Sequence, residues 1–359
     1  MSPFPRVTAI SGLGGKSPAC FLVETGARRF LLDLGEGPDP GVRPDLDGVG
    51  RVDAMLLSHS HRDHAGALDL LPQIGHPPVY ASAIVAARLG RADLRPLPLA
   101  GSADILGVIV TTGRNGHAPG GLWIHFGIGR GLLYMGDHSI ESAVYAFDPP
   151  PAAGTIILDA SYGDADVALA DQAAALEKML DTANALLPVP ADGRGPEIAL
   201  HLARRGLDLR LDDSLRASLE RLAWEERAAL RDGVADALAA IASTAGAIDG
   251  PQGVMLAAPA DASRGEAARL MAQWQDDAKP AILFTGYLPA QTQAGRLLAR
   301  GRAQSLRWNV HPRLSDNAAL VRSVGAACVI PAFCAPRYYK ALARAFAPTK
   351  VITDLPVRL

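Results

Sequence analysis

His59-Ser60-His61-Arg62-Asp63-His64 decides how this chain is read. These six residues follow directly on Val52-Asp-Ala-Met-Leu-Leu-Ser58, an apolar run that reads as a strand. Residues two apart on a loop can turn both imidazoles, His59 and His61, toward one point. Asp63 and His64 can face a neighbouring point if a helix begins there. Imidazole and carboxylate together suit zinc or a similar first-row divalent ion. The plainer alternative is a polar surface turn, but three of the chain's nine histidines fall within these six residues.

Upstream of this cluster, residues 21–24 and 29–34 read as adjacent strands around the turn at Thr25-Gly26-Ala27. Downstream, residues 78–81, 108–110, 122–126, 131–135 and 155–158 continue the series of short strands, with a helix at 82–89. Such a pattern predicts sheets packed on each other and flanked by helices. After about Asp164 the texture changes. Residues 166–187, 213–242 and 262–275 are rich in alanine or leucine with helical periodicity, and strand-like pieces lie at 253–257 and 281–285. From about Leu306 the short strands return, at 328–330 and 350–353. The expected organisation is a β-rich domain in two parts, 1–164 and 306–359, interrupted by an α/β insertion at 165–305.

The formal net charge of -2 and pI near 6.5 give no overall field for a polyanion, although a local basic groove stays open. Only Lys16, Lys178, Lys279, Lys340 and Lys350 are lysine among 35 basic residues, which reads as a coding bias toward arginine. Cys20, Cys328 and Cys334 make an odd number without scaffold spacing, so a reducing cytoplasm is the expected location. No apolar run reaches membrane-spanning length, and no membrane partner is expected. Gly14-Gly15-Lys16-Ser17 ends like a phosphate-binding loop, but the glycine required at its start falls at Ile10. Gly127, Gly129 and Gly131 lie between strands rather than opening a helix, which argues against a dinucleotide site.

His-x-His-x-Asp-His at residues 59–64 resembles the signature of the metallo-β-lactamase fold, an αββα sandwich. Leu31-Leu-Asp-Leu-Gly35 is similar to that fold's first motif, which implies that Asp33 is a buried acid supporting the ligands. Gly116-His117-Ala-Pro-Gly120 and Tyr134-Met-Gly-Asp137-His-Ser139 resemble its third and fourth motifs. The resemblance narrows to the β-CASP branch of nucleases, which includes ribonuclease J and the endonucleases of mRNA 3′-end processing. Leu158-Asp159-Ala-Ser-Tyr-Gly163, the 187–197 segment containing Arg194 and Glu197, and Phe284-Thr-Gly-Tyr287 resemble segments of that branch, including those bounding its inserted α/β domain.

Three segments depart from the branch. Its Phe-Ser-x-His-x-Asp is replaced by His311-Pro-Arg-Leu-Ser-Asp316, and aligning the aspartate puts Leu314 in the histidine's place, with His311 a few residues earlier. Its final Val-His-Gly-Glu becomes Pro331-Ala-Phe333-Cys334, so Phe333 stands where a metal-ligating histidine belongs. Its Gly-Met-x-x-Gly-Gly becomes the 257–265 segment. Cys334 beside the missing position is either a replacement ligand in a slipped register or a packed, buried thiol.

The resemblance implies that His59, His61 and His117 hold one metal, that Asp63 and His64 hold a second, and that Asp137 bridges them. Zinc is the expected ion, manganese an alternative, and the second position is weakened. Asp63, Asp159 and His311 are then the catalytic candidates; His311 either replaces the missing histidine and protonates the leaving oxygen or is a solvent-facing loop residue. Arg194 contacts a strand phosphate or braces the domains, and Tyr287 stacks on a base or packs in the core. His138 packs or lines the pocket rather than binding metal, and Trp123 and Trp308 are packing residues. The implied activity is hydrolysis of single-stranded RNA or DNA by a metal-activated hydroxide. The alternatives are a nucleic-acid- or partner-binding protein with reduced or lost nuclease activity, and a small-molecule ester or lactone hydrolase.

Overall fold

The computed structural model describes residues 5–39, 41–180, 184–277, 279–286, 288 and 291–359. Two compact units emerge: Met1–Ile140 with Tyr145–Asp166 and His311–Leu359, and Glu141–Val144 with Val167–Val310.

In the first unit, strands alternate between two apolar faces, because successive side chains of a strand point to opposite sides. Phe21, Val23, Phe30, Leu32, Ala54 and Leu56 join a central core with Ile124, Phe126, Tyr134 and Ile157. Their neighbours Leu22, Leu31 and Met55 point the other way, toward Leu71, Ile74 and Val85. Leu133, Ile156 and Leu158 likewise face Val321, Leu342 and Phe346. The result is two sheets face to face with helices outside each.

The first sheet runs in the order Val357–Arg358, Arg6–Ser11, Cys20–Glu24, Arg29–Leu32, Ala54–Leu56, Val79–Ser82, Arg95–Leu97. The second runs Lys350–Val351, Cys328–Ala332, Thr155–Asp159, Leu132–Tyr134, Leu122–Phe126, Val108–Arg114, Gly101–Ile105. Arg29–Leu32, Ala54–Leu56 and Val79–Ser82 are mutually parallel, as are Leu132–Tyr134, Thr155–Asp159 and Cys328–Ala332. Their carboxyl ends lead to Asp33, His59, Asp137, Asp159 and Phe333. Parallel strands therefore deliver the polar residues to one rim, the usual place for a ligand on such sheets.

The second unit holds a parallel sheet in the order Gly246–Ala247, Leu209–Leu211, Val254–Ala257, Ala185–Pro188, Ala281–Phe284, Ala303–Ser305. Sequence periodicity extends the first helix of this unit to residue 187, but the helix is Leu169–Leu180 and Ala185–Pro188 is a strand. That strand is buried at all four positions, so its apolar run lacks the alternation that would mark it as extended. The region 213–242 forms two helices, Asp213–Trp224 and Val234–Thr244. Asp212 caps the first by accepting from the Leu215 N–H at 2.8 Å, and Gly233, at φ +73°, precedes the second. No described helix is long and apolar enough to cross a membrane.

Candidate metal centre

The strand Ala54–Leu56 is followed by Ser58 and His59, and the chain then turns into the short helix Arg62–Ala65. The turn is held by backbone bonds: the Leu34 N–H donates to the His64 carbonyl and the Ala19 N–H to the Asp63 carbonyl, both at 2.8 Å. Gly35 is required there, because a Cβ would collide with the Asp63 carbonyl. His117 is placed by Asn115, whose side-chain oxygen accepts from the His117 N–H at 3.1 Å.

His61 Nδ1 lies 3.0 Å from His59 Nε2 and 3.2 Å from His117 Nε2. Tetrahedral zinc with Zn–N near 2.0–2.1 Å sets its donor atoms about 3.3 Å apart. The three nitrogens thus stand at the spacing of one coordination sphere. Asp137 presents its two oxygens to different partners: Oδ2 lies 3.6 Å from His117 Nε2 and 3.9 Å from His59 Nε2, while Oδ1 lies 3.2 Å from His64 Nε2. Among the described residues, candidate ligand atoms within 4.8 Å of one another fall into three groups: His59, His61, His117 and Asp137; Asp63, His64 and Asp137; and Asp137, Asp159 and His311. Asp137 belongs to all three.

Beneath the ligands Asp33 is fully buried and accepts four hydrogen bonds. They come from the Ser58 N–H at 2.7 Å, Ser58 Oγ at 2.6 Å, His64 Nδ1 at 2.7 Å and the Tyr134 hydroxyl at 2.5 Å. Since the single Ser58 hydroxyl proton goes to Asp33, its oxygen accepts from His59 Nδ1 at 3.0 Å. Both histidines thereby keep a proton on Nδ1, so that in the neutral form the lone pair lies on Nε2, the atom facing Asp137. Motif reading gave Ser58 and Tyr134 no role, although Ser58 precedes the histidine cluster and Tyr134 opens the fourth motif.

Burial, reinforced by neighbouring His64 and His61, holds His59 well below the usual histidine range. His61 is lowered as well, mainly by burial. Neutral imidazoles are the form that binds a metal. At His64 burial opposes protonation, but the Asp137 charge and the bonds to Asp137 and Asp33 outweigh it and raise the pKa well above normal. A cation held beside Asp137 would take the place of that proton.

Among the described residues the second group has no donor beyond Asp63, His64 and Asp137. Phe333, at φ +60°, sets its ring 5.3 Å from that of His64 and joins the central core. Cys334 packs in the core beneath the second sheet, its thiol pushed up to about 11 chiefly by burial, and joins no ligand group among the described residues.

His311 Nδ1 lies 2.8 Å from Asp159 Oδ2 and 3.8 Å from Asp137 Oδ2. Its ring stands 4.9 Å from that of His117 and 5.1 Å from that of Tyr162. Leu314, the residue aligned to the family's histidine, instead opens the helix Leu314–Ser323. His138 is buried, with neither ring nitrogen partnered among the described residues, and burial pushes it down to about 4.

The model of the metallo-beta-lactamase superfamily matches residues 13–192, which carry every member of the first two ligand groups. The chain belongs to the metallo-beta-lactamase superfamily. Among curated relatives, it is 29% identical over 256 residues to transcription termination factor FttA of Methanosarcina mazei, covering 56% of this chain and 40% of that protein. It is 29% identical over 193 residues to a ribonuclease of Thermus thermophilus, covering 45% and 43%. The chain thus spans about two fifths of the length of these relatives. These matches support the β-CASP branch of the superfamily. A crystal structure of a protein of unknown function from Enterococcus faecalis shares the fold, with a TM-score of 0.62 at 12% identity over 99% of this chain and 100% of that one.

Elsewhere in this metallo-beta-lactamase superfamily member, Arg194 is half-buried in the second unit, its guanidinium lying where a side chain at Gly286 would be. In the same unit Glu197 accepts hydrogen bonds from the Ser142 hydroxyl and from Trp308 Nε1, the latter at 2.9 Å. Trp308 is thus more than a packing residue. Tyr287 lies outside the described residues.

Proposed function

We propose that this chain is a metal-dependent phosphodiesterase that cleaves single-stranded RNA or DNA. The observation that carries the reading is the sharing of Asp137 among the histidine triad, the Asp63–His64 pair and the Asp159–His311 pair. A simple structural metal site needs only the first group; the other two put an acid–base pair against it.

His59, His61, His117 and Asp137 fit zinc by donor type and spacing, with manganese the alternative. The bound ion supplies polarisation of a phosphoryl oxygen and activation of water. The remaining work falls to side chains. Asp63 and His64 extend the polar surface on one side of Asp137 and would hold a second ion only weakly, for want of a donor at Phe333. Asp159 accepts a hydrogen bond from the Nδ1–H of His311, fixes the ring and favours its doubly protonated form, leaving the Nε2–H without a protein partner among the described residues. That nitrogen delivers the proton to the leaving oxygen, a step worth about 10²- to 10⁴-fold in rate. Homology to a ribonuclease and to a termination factor supports a nucleic-acid substrate.

Phe333 favours a second reading, in which the protein binds nucleic acid with reduced cleavage. Incubating zinc- or manganese-loaded protein with end-labelled single strands separates them. Metal-dependent cleavage supports the nuclease. Binding without cleavage supports the second reading, and hydrolysis of chromogenic esters with oligonucleotides untouched supports a small-molecule hydrolase.

A further inference from the structure

The loop between the strands Arg6–Ser11 and Cys20–Glu24 reads Gly12-Leu-Gly-Gly-Lys16-Ser-Pro-Ala19, the run set aside as a failed phosphate-binding loop. It is tied to the walls of the metal centre at both ends. The Gly12 carbonyl accepts from the Phe333 N–H at 2.8 Å, and the Ala19 N–H donates to the Asp63 carbonyl at 2.8 Å. Between these ties the Gly14 backbone hydrogen-bonds the Tyr339 hydroxyl, and the Gly12 N–H donates to Ser17 Oγ at 3.2 Å. Gly12 has φ +98°, and a Cβ there would lie 2.6 Å from the Phe21 ring, so the loop is pressed onto the core at its base. At Gly14 and Gly15 a Cβ would meet nothing within 4 Å, so the tip borders open space.

Lys16 projects from this tip and is exposed. Arg313 is engaged with Asp316 at 3.1 Å, Arg62 with Glu36 at 2.5 Å, and Arg337 over the Tyr338 ring at 4.7 Å. Lys16 has no ion pair among the described residues. An unpaired ammonium on a flexible stem suits a phosphate as a point charge and does not read base identity.

We propose that Lys16 is a substrate-positioning residue that contacts a backbone phosphate of single-stranded nucleic acid beside the metal centre. This inference rests on the nuclease reading above and names one contact of that site. The test is fluorescence anisotropy with a short labelled single-stranded RNA over a salt series, in an Asp159→Asn background that leaves the first ligand group intact. Lys16→Ala should weaken binding several-fold for every sequence and reduce the salt slope by about 0.7, the single-strand value for one phosphate contact. Lys16→Arg should restore both. Lys350→Ala should change neither, because Lys350 pairs with Cys328, at the far end of the strand from Phe333. Unchanged affinity and slope in Lys16→Ala, with an unchanged melting temperature, overturn the contact. Failure of the parent protein to bind any single strand overturns the nuclease reading itself.

Discussion

His311 Nδ1 lies 2.8 Å from Asp159 Oδ2 although 152 residues separate them in the chain. The pair holds the imidazole against Asp137 without being needed for the triad, so proton transfer separates from metal binding. Asp159→Asn and His311→Gln should each lower single-turnover cleavage by about 10²- to 10⁴-fold. Metal content, read by elemental analysis of the same preparations, should stay at the wild-type level. Loss of the metal along with the activity would contradict the assignment.

Phe333→His should add a donor beside His64, where the two rings already lie 5.3 Å apart. Titration with zinc should then show a second, tighter binding step. Phe333→Ala should add no step and should cost about 3–5 kcal/mol in stability, since it empties a buried position.

Asp33 touches no metal position but fixes the His64 tautomer directly and that of His59 through Ser58. Asp33→Asn should weaken metal affinity about 10- to 100-fold, as loss of an orienting partner does. Competition against a chelator of known affinity measures this, and an unchanged constant would deny the residue that role.

Burial pushes the Glu197 carboxyl up to about 7, against the hydrogen bonds from Ser142 and Trp308. Because the folded value lies above the ordinary 4.5, its contribution to stability is fully present below 4.5 and is lost as pH rises through about 7. The loss is on the order of 3 kcal/mol. Urea midpoints at about pH 5 and pH 8 should diverge in the wild type, and the gap should shrink in Glu197→Gln.

Much of this was legible in the chain. His59, His61, Asp63 and His64 are local in sequence, so spacing alone brought them together, and their motif carried His117 and Asp137 with it. His311 was ambiguous, because aligning the family's aspartate favoured Leu314; only folding shows that its ring reaches Asp159. Ser58 and Tyr134 could not be read as partners of Asp33, since their bonds close across 25 and 101 residues. The Glu197 contacts with Ser142 and Trp308 span 55 and 111 residues and leave no local pattern at all. The strand Ala185–Pro188 was hidden for a different reason, as burial on both faces erased its period.

The most direct test of the account is cleavage of end-labelled single-stranded RNA and DNA by metal-loaded protein, with zinc content measured on the same sample and His117→Ala as the control. The account predicts metal-dependent cleavage that is lost, together with the bound zinc, in His117→Ala. Intact strands in the presence of a filled metal centre, with zinc and with manganese across the neutral pH range, would contradict it.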